Sequence, residues 1–284
     1  MRAEDRHIDL GIILGDVPSA AGVRVSNLQL DTRLVGPGDA FVAVSGRTSH
    51  GLKHVDAAID AGAVAILHDP ADGDVRRDAR SAFTIVAVPG LASRLGEIAD
   101  LAYGQPSRDI EVAGITGTNG KTTCAWLYAL CRDDQAAYLG TVGAGRPPYL
   151  LPTTHTTTDV FSLHRALAKF RDQGARHVAI EVSSHALDQD RVAGVRMPLV
   201  AFTNLSRDHL DYHGSMENYA AAKERIFSCR DVRRAVINTD DPVGMRFSEM
   251  VSNTVEVVRV SCSSPAQRQG LYVAANEKIG RAHV

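Results

Sequence analysis

Two patterns of apolar residues alternate along the chain. Short continuous apolar runs, of strand length, occupy 41–44, 63–67 and 84–88. Between them lie stretches with apolar residues every three or four positions, the spacing of a buried helix face. One covers 54–61 and stops at Gly62; another covers 91–103, with Leu91, Leu95, Ile98 and Leu101 on one side. After Gly104-Gln105-Pro106-Ser107, a turn-forming cluster, strand-like runs follow at 110–115, 136–139, 177–182, 199–203 and 235–238. A helical pattern fills 122–130. Strands alternating with helices predict an α/β protein with mostly parallel sheets. The 284 residues fit two domains. The pattern divides them at the turn cluster, into 1–105 and 106–277.

The junction of the run at 110–115 with the helix at 122–130 carries the strongest chemical signal. It reads Val112-Ala113-Gly114-Ile115-Thr116-Gly117-Thr118-Asn119-Gly120-Lys121-Thr122-Thr123. Strand, glycine turn, Lys-Thr and helix are the parts of a phosphate-binding loop. Its backbone N–H groups and the helix N-terminus would face phosphate oxygens. Lys121 would neutralise the β- and γ-phosphates, and the Thr122 hydroxyl would hold Mg²⁺. Gly117, Thr118, Asn119, Gly120 and Thr123 complete the nucleotide-binding candidates. The spacing departs from G-x-x-x-x-G-K-[ST], because Ile115 stands where a glycine would be. The alternative is an ordinary strand–turn–helix with a capping lysine.

Other polar clusters follow buried runs. Glu181-Val182-Ser183-Ser184-His185 ends one strand, where open α/β sheets gather ligands. A carboxylate there can complete a Mg²⁺ shell or form a strand-end salt bridge. Residues 203–214 place Asp208, His209 and Asp211 within four positions. They suit a metal or acid–base role, or a helix start capped by Ser206 or Asp208. The threonine-rich segment 153–159 suits an oxygen-rich ligand, or helix capping before Val160. Lys223 reads by itself as an ordinary solvated helix lysine.

Composition narrows the function. A net charge of −2 gives no basic field for nucleic acid. No run reaches the ~20 apolar residues of a membrane span, and the first residues lack a signal-peptide core. A soluble cytoplasmic protein is expected. The four cysteines form no metal-binding spacing; Cys124 and Cys131, seven apart, are expected to be packed thiols.

Taken together, GITGTNGKTT, EVSSHAL, TNLSRDHLDYHG and ENYAAAK, in this order, resemble the Mur ligases. They resemble most the branch that adds a diamino acid to UDP-N-acetylmuramoyl-L-alanyl-D-glutamate in peptidoglycan synthesis. Asp31-Thr32-Arg33 and the stretch 38–51 resemble that branch's N-terminal nucleotide-sugar domain. The likeness spans about 30–241. It implies a small α/β UDP-sugar-binding domain followed by a phosphate-loop central domain. It also implies an ADP-forming ligase that makes an acyl phosphate for an amine to attack. Lys121, Lys223 and His209 would then be catalytic; Thr122, Glu181, His209 and a carbamylated Lys223 would hold Mg²⁺. Leu30, Thr32, Arg47, Thr48, Ser49, His155, Thr156, Thr157, Ser183, Gln189 and Arg191 would hold the UDP-sugar dipeptide. His155, Thr158 and Thr32 depart mildly from the pattern, which often has Asn, Pro and Ser there.

The resemblance implies a third domain, which selects the amino acid, and that domain is expected to be missing from the chain as written. The chain as written is therefore expected to be inactive as a ligase; separately, a monomer is expected. Its amino acid would be meso-diaminopimelate, the commoner family choice, or otherwise L-lysine. Residues 278–284 resemble a translated sequencing adapter and are expected to be non-native. The competing readings are another ligase of the superfamily, such as a folylpolyglutamate synthase, or a non-catalytic nucleotide-binding protein.

Overall fold

A computed structural model describes residues 7–46, 49–75, 83–132, 135–153, 156–251 and 255–262. Arg47, Thr48, His155 and the 278–284 tail lie outside the described residues. The chain forms two compact units. Unit 1 comprises Met1–Asp109, Thr158–Gly174 and Asp190–Val195; unit 2 comprises Ile110–Thr157, Ala175–Gln189 and Arg196–Val284.

Unit 1 begins with a two-residue pairing of β1 (Ile8–Asp9) with β2 (Arg24–Val25), antiparallel, around the short α1 (Leu10–Ile13). Its main sheet has four parallel strands in the order β3 (Leu28–Gln29), β4 (Ala40–Ala43), β5 (Ala65–His68), β6 (Thr84–Ala87). The helix α2 (Val55–Asp60) connects β4 to β5, and α3 (Leu91–Ala102) follows β6. All residues of β4 and β5 are buried, as continuous apolar runs in a covered parallel sheet should be. One side packs Val42, Leu67 and Val86 with Leu91, Ile98 and Ala99 of α3; the other packs Phe41, Ala43 and Ile66 with Val55 and Ala58 of α2.

Unit 2 holds an eight-stranded sheet. In chain order its strands are β7 (Glu111–Thr116), β8 (Ala136–Gly140), β9 (Gly143–Arg146), β10 (Tyr149–Leu151), β11 (His177–Glu181), β12 (Leu199–Phe202), β13 (Arg234–Asn238) and β14 (Glu256–Val260). In space the order is β10-β9-β8-β11-β7-β12-β13-β14. Six strands are parallel, and the β9–β10 hairpin adds antiparallel at one edge. The helices include α4 (Lys121–Leu130), α6 (Ser184–Asp188), α7 (Leu210–His213), α8 (Met216–Glu224) and α9 (Pro242–Met250). The intervening helix α5 (Val160–Asp172) belongs to unit 1, where Val160, Phe161 and Ala168 join the core of α3. Asp159 caps α5, accepting from the N–H groups of Phe161 and Ser162.

The cysteine expectation is corrected. Cys124 and Cys131 are exposed, because α4 turns Ala125 and Ala129 inward and its opposite face to solvent.

Candidate functional site

The phosphate-loop segment follows β7, whose two neighbours are β11 and β12. Glu181 ends β11 and pairs in register with Ile115; Phe202 ends β12 and pairs with Thr116. β8 lies beyond β11, so the connection through α4 skips one place in the sheet. This is the reversal point of strand order, where open α/β sheets expose ligand sites. Three strand ends therefore deliver the glycine loop, a carboxylate and the Thr203-Asn204 segment to one edge.

Gly117 has φ +147, and a Cβ there would collide with the Thr203 hydroxyl. Only glycine lets the loop pass so close to β12. Gly120, at φ +81, starts α4. An α-helix leaves its first amides without partners inside the helix, so Lys121, Thr122 and Thr123 start α4 with N–H groups available to an anion. Lys121 Nζ donates to Gly117 O and Thr118 O, each at 2.9 Å. Burial lowers its pKa, against the opposing charges of Glu181 and Asp208.

Thr122 Oγ1 donates to Glu181 Oε2 at 2.9 Å. Glu181 is buried, and its other contacts fix the carboxylate. Tyr138 donates its hydroxyl to Oε1, as does the Thr141 N–H at 3.0 Å; Thr141 Oγ1 reaches Oε2 at 3.2 Å. Gly140 leaves the room this needs, since a Cβ there would meet the Glu181 and Tyr138 oxygens. Burial, then the adjacent carboxylate, raise the Tyr138 pKa, so the phenol stays a donor. Around this carboxylate, Thr141 Oγ1 donates to Thr156 Oγ1 at 3.0 Å. Thr157 Oγ1 donates to the Glu181 carbonyl at 2.7 Å and accepts from Ser183 N at 3.2 Å. The Ser183 hydroxyl caps α6 through Ala186 N.

On the other side of the loop stands α8. Lys223 is 1% exposed, and its Nζ donates to Gly117 O at 2.8 Å. It lies 4.5 Å above the Tyr219 ring, whose hydroxyl is 3.2 Å from Thr118 Oγ1. Burial, then the nearby Lys121 charge, bring the Lys223 pKa down to about 7, with Asp208 opposing. His209 sits at φ +50 before α7, its Nε2 3.5 Å from Asp208 Oδ2. Its ring packs edge-on against His185 and Tyr219. Neither Ser206 nor Asp208 caps α7; His209 occupies the cap position without a side-chain bond. Gln189 Nε2 donates to Tyr212 OH, which donates to Asp188. A cleft of about 480 Å³ opens beside this group, lined in part by Asp188, Tyr212, His213 and Arg225.

Among the described residues, no three His, Cys, Asp or Glu side chains converge as a metal cluster. One hydroxyl and one carboxylate fit Mg²⁺, which takes few protein ligands and keeps waters and phosphate oxygens.

Residues 115–281 match the model of the Mur ligase middle domain. The chain belongs to the Mur ligase family. Residues 24–103 match a second model, the Mur ligase family catalytic domain. The chain is 48% identical over 259 residues to the UDP-N-acetylmuramoyl-L-alanyl-D-glutamate–2,6-diaminopimelate ligase of Xylella fastidiosa strain 9a5c, covering 90% of this chain and 52% of that protein. It is 44% identical over 267 residues to the ligase of the same name from Xanthomonas campestris pv. campestris strain 8004, covering 92% and 53%. A solved structure bearing that enzyme name superposes with a TM-score of 0.71 at 26% identity, covering 92% of this chain and 54% of that one. The chain thus spans about half the length of the curated relatives it matches. The MurF ligase of Thermotoga maritima, solved with ADP, shares the fold with a TM-score of 0.55, at 21% identity over 84% of this chain and 51% of that one.

Of the residues singled out in the sequence, unit 2 gathers Gly117 to Thr123, Glu181, Thr156, Thr157, Ser183, His209 and Lys223 about the ends of β7, β11 and β12; Gln189 lies at the end of α6. The remaining described candidates belong to unit 1. Leu30 packs on its core, Thr32 opens a 3₁₀ turn, Ser49 Oγ lies 2.8 Å from His54 Nε2, and Arg191 falls in its 190–195 segment. Sequence reading did not single out Tyr138, Thr141 or Tyr219. Tyr138 sits in an apolar run and reads as core. Thr141 directly follows a strand end, as the other site residues do, and that position was its only signal.

Proposed function

We propose that this Mur ligase chain carries the nucleotide-binding and UDP-sugar-binding parts of an ATP-dependent, ADP-forming ligase. The reaction adds meso-diaminopimelate to UDP-N-acetylmuramoyl-L-alanyl-D-glutamate. One observation carries the reading: Thr122 of the phosphate-loop helix hydrogen-bonds the buried Glu181 carboxylate, beside Lys121. That arrangement suits a triphosphate with its Mg²⁺. The names of relatives at 44–48% identity support the choice of substrates.

In this reading Lys121 and the α4 amides hold the transferred phosphate, offsetting charge where it develops. Thr122 and Glu181 would hold one Mg²⁺, and His209 with Lys223 a second. Bound Mg²⁺ would neutralise phosphate charge during transfer to the dipeptide carboxylate. Lys223 would serve as a carbamate. Its pKa of about 7 leaves a free amine at neutral pH, the form that adds CO₂. Addition would form an N–C bond from the neutral amine to CO₂ and release one N–H proton to solvent, leaving a carbamate anion suited to a metal. Thr156, Thr157, Ser183 and Gln189, with Leu30, Thr32, Arg47, Thr48, Ser49, His155 and Arg191, would position the UDP-sugar dipeptide.

The test is binding of ATP and of the UDP-sugar dipeptide by the chain, each measured by calorimetry with and without Mg²⁺. The reading expects Mg²⁺-dependent ATP binding that Lys121→Ala abolishes, and dipeptide binding that a folate does not replace. ATP binding that ignores Mg²⁺ and Lys121 would overturn it.

A further inference from the structure

The geometry points to Asn204 as the positioning residue of the phosphate loop, a role that rests on the nucleotide reading above. Its carboxamide treats the backbone of Asn119 as a neighbouring strand would. Oδ1 accepts from Asn119 N at 3.0 Å, and Nδ2 donates to Asn119 O at 3.2 Å. One residue earlier in the loop, Thr118 N donates to the Asn204 carbonyl at 2.9 Å. The flanking residues extend the ladder. Thr203 Oγ1 donates to Asn119 O at 2.6 Å, and Ser206 N donates to Thr118 Oγ1 at 3.0 Å. The β7 strand and the loop beyond it are thus zipped to 203–206 over four residues, starting from Thr203 N to Thr116 O.

The ladder is itself anchored. Asp241 accepts from Leu205 N at 2.8 Å while capping α9 through Val243 N and Gly244 N. Asn238 Nδ2 donates to the Thr203 carbonyl at 2.7 Å. A helix cap, a strand end and the phosphate loop therefore share one hydrogen-bonded run.

The consequence is chemical. Asn119 N–H is taken by Asn204 and cannot face a phosphate. That directs the anion to the amides that follow, from Gly120 into α4, and holds them aimed before any ligand arrives. Preorganised amides cost less to use than amides that must be ordered on binding. A carboxamide suits this task because it offers an acceptor and a donor in one plane, matching a peptide edge.

Asn204→Ala, Asn204→Gln and the wild-type chain would be titrated with a fluorescent ATP analogue in Mg²⁺, and melted thermally. Loss of the paired bonds should weaken nucleotide binding by about tenfold. Asn204→Gln, which keeps a neutral carboxamide with both its acceptor and its donor, should recover part of it, while both variants melt within a few degrees of wild type. Equal affinity of Asn204→Ala and wild type overturns the positioning role alone. An affinity loss in which Asn204→Gln recovers nothing and the melting temperature falls in step also overturns it, leaving a merely structural residue. A wild-type chain that binds no nucleotide overturns the nucleotide reading and this role with it.

Discussion

At the scale of the residue, the site is decided by how few groups hold each charge. Glu181 accepts from Tyr138, Thr141 and Thr122, so one carboxylate is oriented by two phenol or hydroxyl donors, one amide and a further hydroxyl contact. Glu181 is proposed above as a Mg²⁺ ligand, and partners behind such a ligand are worth about 10–100-fold in metal affinity. Tyr138→Phe should therefore weaken Mg²⁺ by that factor in an ATP-binding titration, with metal-free ATP binding unchanged. Lys223 makes a different prediction. Its folded pKa of about 7 lies below the ordinary lysine value of 10.5. Between those values the unfolded chain holds a proton that the folded chain has lost. Stability from this group therefore rises with pH across the window from 7 to 10.5 and is lost as pH falls to 7. Lys223→Met should flatten the rise in melting temperature between pH 7 and 9, measured beside wild type in CO₂-free buffer.

At the scale of the element, small residues and caps set the contacts. A Cβ on Gly96 of α3 would lie 2.6 Å from the Ala193 carbonyl carbon, inside unit 1. Replacing a helix glycine by alanine ordinarily gains about 1 kcal/mol. Here overpacking, at about 1–3 kcal/mol, outweighs that gain. Gly96→Ala should lower stability, read as a shift in urea midpoint. Asp159→Ala, which removes the α5 cap, should cost about 1 kcal/mol in the same experiment. Helices and strands of this kind were legible in the sequence because burial imposes its period on them. The β9–β10 hairpin was not. Tyr149 and Leu151 are exposed there, so no alternation of buried and polar positions announces it. The outward turn of Cys124 and Cys131 was missed for a related reason: α4 buries only Ala125 and Ala129, a stripe too narrow to fix its orientation by pattern alone.

At the scale of the whole molecule, no helix among the described residues is long and apolar enough to cross a membrane. The candidate nucleotide site lies wholly within unit 2, built from its own strand ends. A ligand that binds only the folded form stabilises it by about 2.7 kcal/mol at one hundred times its Kd. Saturating ATP with Mg²⁺ should thus raise the thermal transition of unit 2, followed by calorimetry, and EDTA should reverse most of the gain. A uniform rise in every transition would contradict this placement.

The sequence by itself determined the alternation of strands and helices, the phosphate loop and the order of the family's motifs. These are local properties, carried by apolar spacing and by residue types that chemistry needs side by side. Only the tertiary structure decided which strand ends meet. Residues 122, 181 and 204 are far apart in the chain, and nothing local says that β11 and β12 flank β7. The same holds for α5, which follows unit 2 strands in sequence yet packs with α3, because its apolar face completes that core. Lys223 shows the limit most plainly. On its helix it reads as a solvated cation, and only the fold buries it against Gly117 and Tyr219, where burial first and then the nearby Lys121 charge lower its pKa to about 7.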